Sequence, residues 1–160
     1  MLSGACVRLS PQNGALSAAL RAAEPNTTIV LSPGNYVERD GLICDVEGVS
    51  IVGFDGVDSN GQPMSTIMGD LALFNERPFL QISSTRFLAQ NIKIDVSFSS
   101  SLLLENPMSS DHSSCVLISK SSEAVFDHCC VTSQKHLVGF TIQHYSRPCI
   151  RFCEISNNKW

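Results

Sequence analysis

Charge is scarce in this chain. Of its 160 residues only 16% are Asp, Glu, Lys or Arg, and aromatic residues make up 7%, with a single Trp. So thin a charged surface suits strands packed on an interior more than a set of solvated helices. The net charge is -4 and no basic run stands against it. A nucleic-acid backbone would find no electrostatic footprint here, and no block of like charge reads as an interaction tail. Nowhere do about 18 uncharged apolar residues run together, and residues 1–10 hold one Arg and no apolar stretch of signal-peptide length. Neither export nor membrane insertion is indicated, so nucleic acid and membrane are not expected partners. A disulfide framework is also missing: the seven cysteines are an odd number, and Cys115, Cys129, Cys149 and Cys153 sit in strand-like segments as small buried hydrophobes would. A reducing cytoplasm is the compartment that fits them.

What is present is apolar and periodic. Hydrophobic residues make up 43% of a chain of single-domain length, taken as one unit over residues 1–160. Leu16, Ala19, Leu20 and Ala23 recur at helical spacing, predicting a helix over 13–24, with Asn13, or Ser10 followed by Pro11, as N-cap and Pro25-Asn26 as the stop. Residues 5–9 read as a short strand, and 27–31 as a buried one rich in β-branched residues. Ser32-Pro33-Gly34-Asn35 predicts a type II turn, with Pro setting the first central residue and Gly the second. Extended chain resumes at Tyr36 and Val37.

Beyond this point a pattern repeats. Val49-Ser50-Ile51 aligns with Ile92-Lys93-Ile94, Cys129-Cys130-Val131 and Cys153-Glu154-Ile155, at offsets of 43, 37 and 24 residues. A second strand, Leu80-Gln81-Ile82, recurs as Val116-Leu117-Ile118 and Phe140-Thr141-Ile142, at offsets of 36 and 24. Two strands that advance together are the mark of a solenoid, because a sandwich or meander has no reason to share an offset. The short offset is one coil, and the longer ones carry Gly-, Pro- and Ser-rich inserts at 54–64 and 98–114, expected to emerge on one face. Alternation places inward residues about 4.8 Å above their equivalents. The expected interior columns are Val49, Ile92, Cys129 and Cys153; Ile51, Ile94, Val131 and Ile155; and Ile82, Ile118 and Ile142. Ser50, Lys93, Cys130 and Glu154 face outward.

The segment running from ALSAALRAAEPN through TIVLSPGNY to GVSIVG resembles the opening of pectin lyase-like right-handed parallel β-helices, which begin with a capping helix, a strand and turn, and a first coil. VFDHCCVTS and IRFCEISNN resemble the short coils of the carbohydrate-binding and sugar-hydrolase repeat. The similarity is nearest to the intracellular β-helix domains of F-box proteins and of SHC-binding, spindle-associated proteins. It implies an all-β, right-handed parallel β-helix with a short N-terminal cap helix and coils over 27–160. For those domains it implies protein interaction, and sugar chemistry need not follow.

Catalytic residues do not emerge from the columns. The outward positions offer Glu154 in one column and Asp95 in the next, without the stacked carboxylate pair that glycoside hydrolysis uses. His128, Cys129, Cys130, Cys149 and Cys153 are zinc-ligand types, yet Cys129 and Cys130 must point to opposite faces of a strand, so neither metal nor cofactor is expected. Asp127 and Arg151 stand 24 residues apart at equivalent positions, predicting an exposed, structural ion pair between coils. His112, His136 and His144 read as solvated or hydrogen-bonding histidines. Leu102, Leu103, Leu104 and Met108 lie in the longer insert and are the candidate partner-binding loop.

The expectation is a non-catalytic interaction or scaffold module of an intracellular protein, with a protein partner. The chain stops just after an interior strand, so an N-terminal fragment with an open last coil is expected. Two alternatives differ in class: a carbohydrate-active enzyme or binding module with an acidic groove, and a structural component that self-associates end to end through its last coil.

Overall fold

A computed structural model of the chain describes residues 4–70, 77–97, 114–120, 122–133 and 138–156. In order along the chain the elements are β1 (Cys6–Leu9), α1 (Ala15–Arg21), β2 (Thr28–Leu31), β3 (Gly34–Glu38), β4 (Leu42–Cys44), β5 (Val49–Val52), β6 (Ser65–Asp70), β7 (Leu80–Ile82), β8 (Arg86–Gln90), β9 (Ile92–Ser97), β10 (Ser114–Ile118), β11 (Glu123–Asp127), β12 (Cys130–Ser133), β13 (Val138–Ile142), β14 (Cys149–Arg151) and β15 (Glu154–Ser156). They form three sheets. Sheet A runs β1-β2-β5-β8-β11-β14, sheet B runs β3-β6-β9-β12-β15, and sheet C runs β4-β7-β10-β13. Every pairing between these strands is parallel.

From β2 onward the chain visits A, B and C in strict rotation, so each turn lays one strand on each sheet and makes one rung. The result is an all-β arrangement of stacked parallel sheets with one helix, compatible with a β-helix or solenoid. Short strands suffice because each rung's inward side chains cover those of the next. One column runs Tyr36, Ile67, Ile94, Val131, Ile155 on sheet B. Another runs Ile29, Ile51, Ala89, Phe126, Ile150 on sheet A. Cys44, Ile82, Ile118 and Ile142 form a third on sheet C. These columns are buried through Ile118, Phe126 and Val131; Ile142 on the fourth rung is exposed, and Ile150 and Ile155 in the fifth are half-buried. Phe126 bridges two sheets, its ring centroid 5.8 Å from Phe87 and 5.0 Å from Phe140.

Several expectations need correction. Val49 and Ile51 do not stack on Ile92 and Ile94; they pair with Phe87 and Ala89 on sheet A, while Ile92 and Ile94 pair with Ser65 and Ile67 on sheet B. Ser50 accordingly leaves the outward column, where Thr66 takes its place beside Lys93. The reason is that apolar-x-apolar marks every strand of every rung alike, so letter pattern without geometry cannot assign a strand to its sheet. The two inserts do not share a corner either. Residues 53–64 join sheet A to sheet B, whereas 98–113 join sheet B to sheet C.

The helix is shorter than the expected 13–24, and neither Asn13 nor Ser10 caps it. Gly14 is the N-cap, with φ 71° and no side-chain cap bond. The helix N–H groups turn instead to Glu38 at the end of β3, which accepts from Leu16 N at 2.9 Å and from Ser17 N at 3.3 Å. Helix α1 packs on β1, β3 and β4, burying Leu16 and Leu20 over the first rung. The expected type II turn is absent too. Gly34 has φ 132°, far from the roughly +80° of that turn, and already pairs with Ser65 as the first residue of β3. Pro33 therefore marks a corner between sheets. Among the described residues no helix is long and apolar enough to cross a membrane.

Candidate functional site

At the corner between sheets A and B the chain turns within one or two residues in the later rungs. In the third, fourth and fifth rungs Asn91, His128 and Phe152 make it in the left-handed conformation, with φ of 54°, 53° and 52°. Gly53 occupies the same place in the second rung; a Cβ there would lie 2.0 Å from the Asn91 carbonyl oxygen, so only glycine fits. The ladder continues through the corner, with Gly53 N donating to Gln90 O, Asn91 N to Asp127 O and His128 N to Arg151 O, at 2.8, 3.1 and 3.2 Å. Left-handed backbone costs a non-glycine residue about 1–2 kcal/mol. Asn tolerates it, whereas a bulky Phe is an outlier there.

The 53–64 insert leaves from this corner and is a built structure. Val57 bridges to Pro63 in antiparallel sense, and the Asp58 carboxylate accepts the Asn60 and Gln62 N–H groups at 2.8 and 3.0 Å. Those two backbone donors hold the Asp58 carboxyl below the usual carboxylate range. Lys93 Nζ donates to Gln62 Oε1 at 2.8 Å, which ties the insert to sheet B.

Between insert and corner lies a cavity of about 270 Å³, with Val57, Gln62, His128, Cys130, Phe152 and Glu154 among the residues that line it. Cys130 forms its floor. Its thiol points outward from β12 yet is only 2% exposed, and burial first, then the Glu154 carboxylate, pushes it up to about 11. A neutral, buried thiol is a poor nucleophile. Phe152 forms the rim, 76% exposed, its ring stacked on His128 at 4.9 Å and 26°.

Behind His128 sits a charged cluster. Asp127 accepts from Arg151 Nη2 at 3.0 Å and from His128 Nδ1 at 2.8 Å. The carboxylate is buried, only 8% of the side chain being exposed, so this is not the exposed pair anticipated from spacing. Arg151 first, and His128 after it, hold the Asp127 carboxyl below its ordinary range against the opposing effect of burial. Because an ionised carboxylate only accepts, His128 Nδ1 carries the proton of this bond.

The cysteines divide by face. Cys129 points inward, its Sγ 3.5 Å from Ala89 O, and Cys153 lies in the next rung. Cys129 Sγ also donates to Asp127 O at 3.4 Å, and Cys153 Sγ to Arg151 O at 3.2 Å; the interaction between the two neighbouring thiols raises Cys129 and lowers Cys153. Among the described residues no group of three or more His, Cys, Asp and Glu side chains is placed to hold a metal ion. Leu102, Leu103, Leu104 and Met108, with His112 and His136, lie outside the described residues. His144 makes a turn with φ 53°.

Sequence alone offers the 54–64 insert alongside 98–114 as a place for function, and Glu154 as an outward acid, but it does not single out Phe54, Val57 or Phe152. A signal for part of this was present: Asn91, His128 and Phe152 each directly precede a strand of sheet B or its first inward residue, at the spacing of the rungs. Comparison with protein-family models, with curated proteins and with solved structures returns no match.

Proposed function

We propose that the chain is a right-handed parallel β-helix of the pectin lyase-like kind, serving as a non-catalytic protein-interaction module. The handedness rests on the near-universal right-handed crossover between parallel strands. One observation carries the functional reading. Phe54, Val57 and Met64 on the insert and Phe152 on the corner are exposed large hydrophobics, and Val57 and Phe152 line one concavity. Apolar residues gathered on a structured flank mark a contact surface. The 98–113 insert, with Leu102, Leu103, Leu104 and Met108, would extend the contact surface on another corner.

The test is site-specific photo-crosslinking in cells. A photoreactive residue at position 57 or 152 is expected to trap a discrete protein partner that one at Ile43, exposed on sheet C, does not. Equal trapping at all three positions, or cleavage of a polysaccharide by the purified chain, would refute the reading.

End-to-end self-association is a second reading, favoured by Ile142. Its column mates Cys44, Ile82 and Ile118 are buried while it is 49% exposed. Sedimentation that stays strictly monomeric at high concentration would remove it.

A further inference from the structure

We propose that the flank pocket receives the guanidinium group of an arginine side chain on the partner protein. The source of the arginine rests on the interaction reading above; the chemistry rests on the pocket alone.

The uncommitted charged groups of the pocket are acceptors. Asp55 and Glu154 line it, and neither carboxylate is engaged in an ion pair among the described residues. In the tautomer with its proton on Nδ1, turned to Asp127, the His128 ring offers Nε2 as a further acceptor. The cations nearby are already committed: Lys93 to Asp95 at 3.7 Å and to Gln62, Arg151 to Asp127. At the floor, the Cys130 thiol is buried and makes no hydrogen bond among the described residues, leaving a soft polar group facing the cavity.

The rim selects among cations. The Phe152 ring is exposed and backed by His128, a flat aromatic platform on which a planar guanidinium stacks while its N–H groups reach a carboxylate side on. An ammonium lacks both the plane and the fork. Phe152 also holds a backbone conformation that Asn91 supplies two rungs away at less strain. A bulky aromatic kept at such a position agrees with a use for its ring. The volume, about 270 Å³, falls just below the roughly 300–1,000 Å³ of small-molecule sites and suits the end of one side chain. A free amino acid is disfavoured, since its α-carboxylate would meet Asp55 and Glu154 with no uncommitted cation to receive it.

The experiment is an amide NMR titration of the whole chain with acetyl-arginine methylamide, acetyl-lysine methylamide and free arginine. The blocked arginine is expected to give saturable shifts at Gln62, His128, Phe152 and Glu154, and to bind more tightly than either other probe. Glu154→Gln is expected to weaken it about tenfold, the scale of one charge-assisted hydrogen bond. Phe152→Asn keeps a residue suited to the corner and removes the ring, so binding should fall without loss of thermal stability. The assignment is overturned if blocked arginine gives no saturable shifts, if both variants bind it as the parent does with their spectra intact, or if free arginine or the lysine probe binds more tightly. If the arginine probe fails while crosslinking at 57 and 152 succeeds, only the pocket assignment is lost. If the probe binds and crosslinking fails, the protein source is lost and with it the interaction reading.

Discussion

Glu38 Oε1 accepts the Leu16 N–H at 2.9 Å, joining the last residue of β3 to the first turn of α1 across 22 positions of sequence. A helix of seven residues is too short to persist on propensity alone. Its N-terminal N–H groups need acceptors, and Gly14 has no side chain to offer one. Glu38 is 1% exposed, so the helix is capped from within the first rung and is held where it covers the rung's interior.

Glu38→Ala is therefore expected to destabilise the chain by about 0.5–2 kcal/mol, the range of a lost helix cap. Glu38→Gln keeps one acceptor oxygen and should cost less. Urea unfolding monitored by circular dichroism measures both, and equal midpoints for parent and Glu38→Ala would show that the cap contributes nothing.

Acid should act on Asp127. Its carboxyl is held below the ordinary value in the folded state by Arg151 and then His128. A depressed folded pKa gives stabilisation that is complete above the unfolded value of about 3.9 and is lost as pH falls through the folded one. Asp127→Asn is expected to be less stable than the parent at pH 7 and to lose less on going to pH 3. Parallel loss in both proteins would place the acid sensitivity elsewhere.

The cysteines should separate by reactivity at pH 7.5. Burial pushes Cys44 and Cys130 up to about 11 and Cys115 up to about 12, while the neighbouring Cys153 thiol first, and burial after it, raise Cys129. Cys153 is lowered and half-buried, while Cys6 and Cys149 are exposed. Brief iodoacetamide treatment followed by peptide mass spectrometry is expected to modify Cys6, Cys149 and Cys153, leaving the other four until denaturant is added. Prompt labelling of Cys115 or Cys130 would contradict the burial described.

Ile94 lies in the middle of its column, stacked between Ile67 and Val131 and fully buried. Ile94→Ala should cost about 2–5 kcal/mol through lost transfer energy and the cavity left behind. Ile43→Ala, at an outward position 58% exposed, should stay within about 0.5 kcal/mol of the parent. Similar losses at the two sites would mean that inward stacking is not what holds the rungs together.

How much of this was legible in the amino-acid sequence depended on the range of the interaction. Strand content, the inward residues of the later rungs and the shared register of Ile82, Ile118 and Ile142 followed from alternation, because a pleated strand must send neighbouring side chains to opposite faces. The 24-residue step placed Asp127 opposite Arg151 for the same reason. Tertiary structure alone decided which sheet received Val49 and Ile51, since every strand carries the same two-residue pattern. It alone supplied Glu38 as the helix cap, folded the 53–64 insert over Cys130, and set Phe152 against His128. Those contacts join residues distant in sequence, and local propensity says nothing of where a corner or a loop will bring them together.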